Sequence, residues 1–184
     1  MRFVAPTLLI SAFGLLAVLF GSYATMLDYH RKVTFMERRT DGVVLASRIR
    51  SYMSVDDFLF RSRDLGSSRP IVRRFPDQAT SAQPSLQSTE VEIDGFSDCA
   101  YRGSLFAYFL NDRLSEIHFY GPDPEGYFRC AAARLGAMGT ESHREIVVDR
   151  VRIEIATDAA GKSYVRVADT RLDDEETLWI MRYS

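Results

Sequence analysis

The most pronounced pattern in the chain is a long apolar stretch close to its amino end. Residues 3–27 contain no charged side chain, and Arg2 precedes them. A helix of this length extends for about 37 Å, more than the ~30 Å hydrocarbon core of a bilayer. The pattern predicts a single transmembrane helix that is retained as a signal anchor. The alternative is a signal peptide cleaved after Ala24, because Ser22 and Ala24 are small residues at positions −3 and −1.

Two rules disagree about the orientation of this anchor. The positive-inside rule, applied to Arg31, Lys32, Arg38 and Arg39, keeps the carboxyl-terminal side in the cytoplasm. A short basic start followed by a signal-like segment usually delivers the rest of the chain across the membrane. We predict a single-pass protein of the cell membrane with its carboxyl-terminal domain outside the cytoplasm, in the periplasm.

The segment that follows the anchor is basic and weakly patterned. Residues 28–75 are predicted to form a membrane-proximal stalk, with a strand near residues 43–49 and a short helix after Ser54. Residues 76–88 are rich in Ser, Pro and Gln and poor in large apolar residues, so they are predicted to be a linker or an exposed loop.

Alternation of apolar and polar residues becomes clear in residues 89–184. A short strand is predicted at Val91 and Ile93, and a hairpin is predicted from residues 105–110 and 114–120 around a turn at Asn111. On the second hairpin strand Leu114, Glu116, His118 and Tyr120 are predicted to share one face.

The remaining pattern predicts a helix and a second pair of strands. Asp123 and Pro124 are typical of a helix start, and apolar residues recur at helical spacing up to residue 135. Strands are predicted at residues 146–156 and 164–168, with a hairpin turn at residues 158–162 between them. A helix with a capping box at Asp173 and Glu176 is predicted to follow. The predicted fold class is α+β, with an amino-terminal transmembrane helix and a small antiparallel sheet in β-β-β-α-β-β order covered by one helix.

Domain boundaries follow from these patterns. We predict a transmembrane anchor at 1–27, a stalk at 28–75, a linker at 76–88 and an α+β domain at 89–184. Residues 28–80 carry a net charge of +4 and residues 81–184 a net charge of −7. A basic stalk is attracted to an anionic bilayer surface, whereas the overall charge of −2 argues against binding to nucleic acid.

The two cysteines, Cys99 and Cys130, are too few for a disulfide framework or a four-thiolate zinc site. They can form one disulfide between a strand and the predicted helix, or they can remain two separate thiols; the sequence leaves both open. A catalytic role for Cys130 is a third interpretation without a nucleophile motif to support it.

The sequence predicts no catalytic, cofactor or metal site. The histidines are not spaced as metal ligands, and the acidic run 173–176 fits a helix start better than a calcium loop. Glu116 and His118 point the same way on one strand and would be the acid–base pair of an anchored hydrolase, although an exposed polar sheet face explains them better. Trp179 and Tyr183 are a candidate interaction surface, because such aromatic residues are enriched at binding sites.

These observations predict a non-catalytic function. We expect a membrane-anchored binding or assembly module whose partners are the lipid bilayer and another membrane or envelope protein, with no nucleic-acid ligand. The alternatives are a membrane-anchored hydrolase, and a secreted binding domain if the chain is cleaved after Ala24.

Overall fold

Antiparallel β-strands contain more of the described residues than the helices do. The computed structural model describes residues 41–66, 68–76, 85–137 and 144–183. The strands are β1 (Val44–Ala46), β2 (Ile49–Arg50), β3 (Ile71–Arg74), β4 (Ser88–Asp98), β5 (Tyr101–Leu110), β6 (Arg113–Tyr120), β7 (Glu145–Val148), β8 (Val151–Thr157) and β9 (Ser163–Asp169). The helices are α1 (Val55–Ser62), α2 (Pro124–Arg134) and α3 (Thr170–Tyr183).

Seven of these strands form one sheet in the order β3-β4-β5-β6-β9-β8-β7, with every neighbouring pair antiparallel. Strands β1 and β2 form a separate pair. Because side chains alternate across a strand, one face of the large sheet is apolar and buried. Its members include Val91, Ile93, Leu105, Ala107, Ile117, Phe119, Ile153 and Val165. Buried residues of α1, α2 and the β1–β2 pair join the same core.

Local sequence signals explain where the helices begin. The Ser54 side chain accepts the N–H of Asp57 at the start of α1, and the Asp123 side chain accepts the N–H of Gly126 at the start of α2. Each bond satisfies an amide that has no partner inside the helix. The predicted caps of these two helices are therefore confirmed.

The two predicted hairpins are also confirmed. Strands β5 and β6 are joined by Asn111 and Asp112, which have φ angles of 49° and 58°. Asn and Asp adopt this left-handed conformation at lower cost than most residues. Strands β8 and β9 are joined through a turn in which Asp158 accepts the backbone N–H of Lys162.

The predicted fold class is wrong in the size of the sheet and the number of covering helices. The predicted strand at residues 146–156 is two strands, β7 and β8, separated by a turn at Asp149, whose φ is 52°. The predicted short strand at Val91 and Ile93 is the eleven-residue strand β4, which continues past Gly95 through an irregularity in its pairing with β5. Within the described ranges the result is a mostly β structure with a seven-stranded sheet, a two-stranded sheet and three helices.

The membrane prediction also needs correction. None of the helices in the described ranges has the length and apolar character needed to cross a bilayer. The predicted span at residues 3–27 and the cleavage site at Ala24 lie outside the described residues. The fold of the described residues therefore contains no transmembrane helix, and the predictions of a transmembrane fold class and of a single-pass location in the cell membrane are corrected accordingly.

The residues predicted to form a stalk lie partly in the main sheet and its core. Strand β3 pairs with β4, so that Val72 lies opposite Val91. Leu45 and Phe58 are at most 1% exposed and belong to the core cluster. Most of the predicted linker, residues 77–84, lies outside the described residues.

The start of α3 differs from the predicted capping box. The helix begins at Thr170, three residues before Asp173, and the backbone N–H of Arg171 donates to the Asp169 carboxylate. The Asp173 carboxylate instead accepts hydrogen bonds from Arg152 and Arg166, which lie on the sheet. These bonds fix α3 against the face of the sheet that is opposite the core.

Candidate binding surface

The face of the large sheet opposite the core carries a cluster of aromatic side chains. Phe106 and Tyr108 come from β5, His118 and Tyr120 from β6, and Tyr164 from β9. The alternation of each strand explains this placement, because Leu105, Ala107, Ile117, Phe119 and Val165, the sequence neighbours of these residues, are buried in the core. All five members are partly exposed. We call this cluster the aromatic surface.

Each ring of the aromatic surface contacts the next one in space, so that the five rings form a continuous row. The centroid distances are 4.5 Å from Tyr108 to His118, 4.6 Å from His118 to Tyr164, 4.9 Å from Tyr164 to Tyr120 and 5.3 Å from Tyr120 to Phe106. These distances are in the range in which aromatic pairs attract each other. The rings are mounted on three adjacent strands, so the contacts hold them in one arrangement.

An ion-pair network lies beside the rings and is centred on Arg166. Its guanidinium contacts the carboxylates of Glu116, Glu154 and Asp173. The Arg166 side chain is only 18% exposed, so solvent screens these charges less than it screens a surface pair. Burial acts to lower the pKa of Arg166, but the charges of its acidic partners outweigh burial and raise that pKa. The guanidinium therefore remains charged and joins β6, β8, β9 and α3.

A second network lies at the β3 edge of the same face. Arg73 donates to Glu90 and to Glu92 on β4. Both carboxylates belong to the face of the aromatic surface, because their neighbours Val91 and Ile93 are buried in the core. One guanidinium thus serves two carboxylates, and it is 44% exposed.

Glu116 and His118 are brought together as their spacing indicates. The Nε2 atom of His118 lies 2.9 Å from Oε1 of Glu116, and the second carboxylate oxygen accepts from Arg166. Burial acts to raise the pKa of Glu116, but the hydrogen bond from His118 and the charge of Arg166 outweigh it and lower that pKa. A carboxylate held in this way is a weak base at neutral pH.

Carboxylates also act on the tyrosines of the aromatic surface. Burial raises the pKa of Tyr108, Tyr120 and Tyr164, and nearby negative charges raise it further. Those charges belong to Glu90, Glu116, Glu154 and Asp158. The hydroxyl groups consequently stay protonated at neutral pH, and that of Tyr120 is hydrogen-bonded to Asp158.

One cation of the chain already lies on a ring of this surface. The Nζ atom of Lys162 is 5.0 Å from the centroid of Tyr120. Lys162 comes from the β8–β9 turn and is exposed. A lysine ammonium within about 6 Å of an aromatic face is attracted by the negative charge of the ring face.

The two cysteines lie on the other side of the molecule from these rings. The structure bonds Cys99, in the β4–β5 turn, to Cys130, in α2, with 6.1 Å between their Cα atoms. Cys130 is therefore not a free thiol that could serve as a nucleophile. The same turn borders a surface depression of about 550 Å³ whose lining includes Ser47, Asp64 and Ala100.

The carboxylate of Asp98 at this depression is fully engaged. It accepts from the hydroxyl groups of Ser47 and Tyr127 at 2.7 and 2.9 Å, and from Arg134 at 2.6 Å. Burial acts to raise the pKa of Asp98, but the Ser47 hydrogen bond and the Arg134 charge outweigh burial and lower it. These contacts fix α2 against the end of β4, so we assign Asp98 a structural role.

The aromatic residues that sequence reasoning singled out lie in α3. Trp179 is 4% exposed and is part of the buried set, whereas Tyr183 is partly exposed; their ring centroids are 5.5 Å apart. Trp179 thus offers little surface to a partner. Among the described residues, no group of three or more His, Cys, Asp or Glu side chains is arranged to hold a metal ion.

Sequence reasoning did not identify the aromatic surface as a unit. The spacing of Glu116, His118 and Tyr120 places two of its rings and the neighbouring Glu116 on one face. The third strand, β9, supplies Tyr164 and the adjacent Arg166 from a distant part of the chain. The alternation of Tyr164 and Arg166 with Val165 and Val167 in β9 was the available signal. No known protein family matches this chain, and no curated protein matches it either.

Proposed function

We propose that this protein is a non-catalytic binding module that contacts another protein through the aromatic surface. The single observation that carries the proposal is the set of five contacting, partly exposed rings on the sheet face opposite the core. Large aromatic side chains are enriched in protein interfaces and supply much of their binding energy.

The rigidity of the surface supports the same proposal. The rings lie on paired strands of one sheet. Arg166 on β9 further connects that strand to β6, β8 and α3 through its three carboxylate partners. A surface that is ordered before binding loses less conformational entropy when the partner arrives. Side chains held in this way are suited to recognition of a defined partner.

The hydrolase remains the second candidate because Glu116 and His118 are in hydrogen-bond contact at 2.9 Å. Against it, the Glu116 carboxylate is also held by Arg166, and the His118 ring is placed between Tyr108 and Tyr164. A general base must be able to reach the proton that it removes. This pair is better suited to fixing the rings than to acid–base chemistry.

The proposal is tested by affinity purification of the tagged protein from the cells that make it. We compare the wild type with the Tyr120→Leu/Tyr164→Leu double variant and with Phe60→Leu, which changes an aromatic residue of α1 that is 69% exposed. We expect one protein to co-purify with the wild type and Phe60→Leu and to be lost from the double variant. That protein, purified separately, should bind with the same dependence.

Folding of the variants is checked by urea unfolding, and Tyr164→His provides a milder change that keeps an aromatic ring. Co-purification that is equal for the wild type and a folded double variant would refute the proposed surface. The hydrolase candidate predicts that Glu116→Ala and His118→Ala each abolish hydrolytic activity. The binding proposal predicts instead that each variant binds the partner more weakly than the wild type, because the rings of the aromatic surface are held less firmly.

A further inference from the structure

The ion pairs that border the aromatic surface contain more carboxylates than cations. Arg73 serves two carboxylates, Glu90 and Glu92. Arg166 serves three, which are Glu116, Glu154 and Asp173. Arg152 also contacts Asp173, and it forms a further ion pair with Glu145. Each network therefore keeps an excess of negative charge beside the rings.

The same excess of negative charge acts on the tyrosines, and Asp158 in the β8–β9 turn adds to it. Carboxylates of Glu90, Glu116, Glu154 and Asp158 raise the pKa of one or more of Tyr108, Tyr120 and Tyr164, after burial, which is the largest cause. Among the largest causes of the Tyr164 shift, the charge of Arg166 is the one that lowers the pKa. A cation brought to these rings would thus find favourable potential.

Lys162 shows how a cation is accommodated. Its ammonium lies 5.0 Å from the centroid of Tyr120, above a ring that is also stacked against Tyr164. The lysine is exposed and comes from a short turn, so its side chain can move away without disturbing the sheet. The position that it occupies is open to the ammonium of another chain.

We infer that the partner presents a basic segment to the aromatic surface, with Lys or Arg side chains placed over the rings of Tyr120 and Tyr164. This inference rests on the proposed function and specifies its partner. The rings supply cation–π attraction, the neighbouring carboxylates supply charge complementarity, and Lys162 occupies one of the cation positions until the partner displaces it.

The same features disfavour other occupants. A nucleic acid would bring phosphates toward Glu90, Glu154 and Asp158, and the repulsion would oppose stacking of bases on the rings. A single small cation would contact one or two rings, whereas five rings on three strands provide room for several side chains of one segment. A basic protein segment uses both the charge and the extent of the surface.

The inference is tested by adding the full-length protein to fluorescent deca-lysine or deca-arginine peptide and recording the fluorescence anisotropy of the peptide. Deca-glutamate and deca-serine are the comparison peptides, and each titration is made in 50 and 500 mM NaCl. We expect the two basic peptides to bind and the comparison peptides not to bind. Binding should weaken at the higher salt concentration, because the screening length for exposed charges is only about 4 Å there.

Five variants separate this surface from general attraction to an acidic protein. Tyr120→Leu and Tyr164→Leu should each weaken binding by about two- to five-fold, the loss of one exposed cation–π contact, whereas Phe60→Leu should leave it unchanged. Lys162→Gln should strengthen binding by a similar factor because the internal competitor is removed. Arg69→Gln removes the same charge at another exposed position and should have a smaller effect.

The inference is overturned if the basic peptides bind no better than deca-serine, or if a folded Tyr120→Leu/Tyr164→Leu variant binds them as well as the wild type. Equal effects of Lys162→Gln and Arg69→Gln would also contradict it. If a co-purified partner depends on Tyr120 and Tyr164 while the basic peptides fail to bind, the proposed function stands and the basic segment is wrong. If neither dependence is observed, both proposals fail.

Discussion

Replacement of Arg166 by Met removes the central cation of the network beside the aromatic surface and keeps most of the side-chain length. In the wild type the guanidinium contacts Glu116, Glu154 and Asp173. The variant leaves three neighbouring carboxylates with less compensation, although Arg152 still contacts Asp173. We expect a substantial loss in the free energy of unfolding at neutral pH.

The expected magnitude follows from the burial of these groups. Breaking a fully buried ion pair by removing one partner costs about 3–5 kcal/mol. The side chains of this network are 18–27% exposed, so water screens part of the remaining repulsion. We therefore expect Arg166→Met to lower the free energy of unfolding by about 2–3 kcal/mol at pH 7.5.

The pH dependence of this loss has a definite sign. The pKa of Glu116 is lowered in the folded protein, so its contribution to stability is present above the pKa of the unfolded state and is lost as the pH falls through the folded value. Without Arg166 that pKa rises, and the uncompensated carboxylates bind protons at higher pH. The difference between variant and wild type should be largest at pH 7.5 and should shrink toward pH 4.

The assay is urea unfolding followed by far-ultraviolet circular dichroism at pH 7.5 and at pH 4. Arg171→Met is the matched control, because Arg171 pairs with Asp41, whose side chain is 58% exposed. We expect the control to lose much less stability than Arg166→Met. A loss of less than about 0.5 kcal/mol for Arg166→Met, or a loss that is the same at both pH values, would refute the reasoning.

Three further predictions concern the core and the β4–β5 turn, and each is measured by urea unfolding. Phe119→Ala removes a fully buried ring that stacks on Tyr127 at 4.0 Å, and we expect a loss of about 3–5 kcal/mol; a loss below 1 kcal/mol would contradict its place in the core. Cys130→Ser opens a loop that spans 31 positions, and we expect the free energy of unfolding to fall by about 3–4 kcal/mol. The wild type should lose the same amount only when its disulfide is reduced, and a variant as stable as the oxidised wild type would argue against the bond. Ala100→Gly relieves a φ of 62° in the turn that carries Cys99 and should raise stability by about 0.5–1 kcal/mol, whereas a decrease would show that the turn differs from this conformation.

The elements that could be predicted depend on contacts between residues that are close together in the sequence. The caps at Ser54 and Asp123 and the hairpin turns at Asn111 and Asp158 are built from contacts within a few positions, so their residue types are visible in the sequence. The shared face of Glu116 and His118 follows from the two-residue repeat of a strand.

The elements that were missed depend on contacts far apart in the chain. Strand β3 has four exposed residues and no alternating pattern, and it is a strand because β4 pairs with it. The turn at Asp149 joins two strands whose residues read as one continuous run, since no Gly or Pro marks it. Tyr164 and Arg166 meet Glu116 and His118 only through the register of β9 against β6, which periodicity alone does not determine.

Contacts far apart in the chain also determine what the acidic residues of α3 do. The sequence predicts a helix start at the acidic run 173–176, but Asp173 contacts Arg152 and Arg166 on the sheet. Glu175 contacts Arg113, a buried residue at the start of β6. Burial also raises the pKa of Glu176, and the charges of Glu116 and Asp173 raise it further. The acidic residues of α3 thus attach the helix to the sheet.

Site-specific photo-crosslinking tests the central claim most directly. A photoreactive phenylalanine analogue is placed at Tyr120, within the aromatic surface, or at Phe60, on α1, in the tagged protein produced by its own cells. We predict one discrete crosslinked partner from position 120, identified by mass spectrometry through a Lys- or Arg-rich peptide, and none from position 60. The same products from both positions, or no product from position 120 in a correctly folded protein, would contradict the assignment of this sheet face as the binding surface.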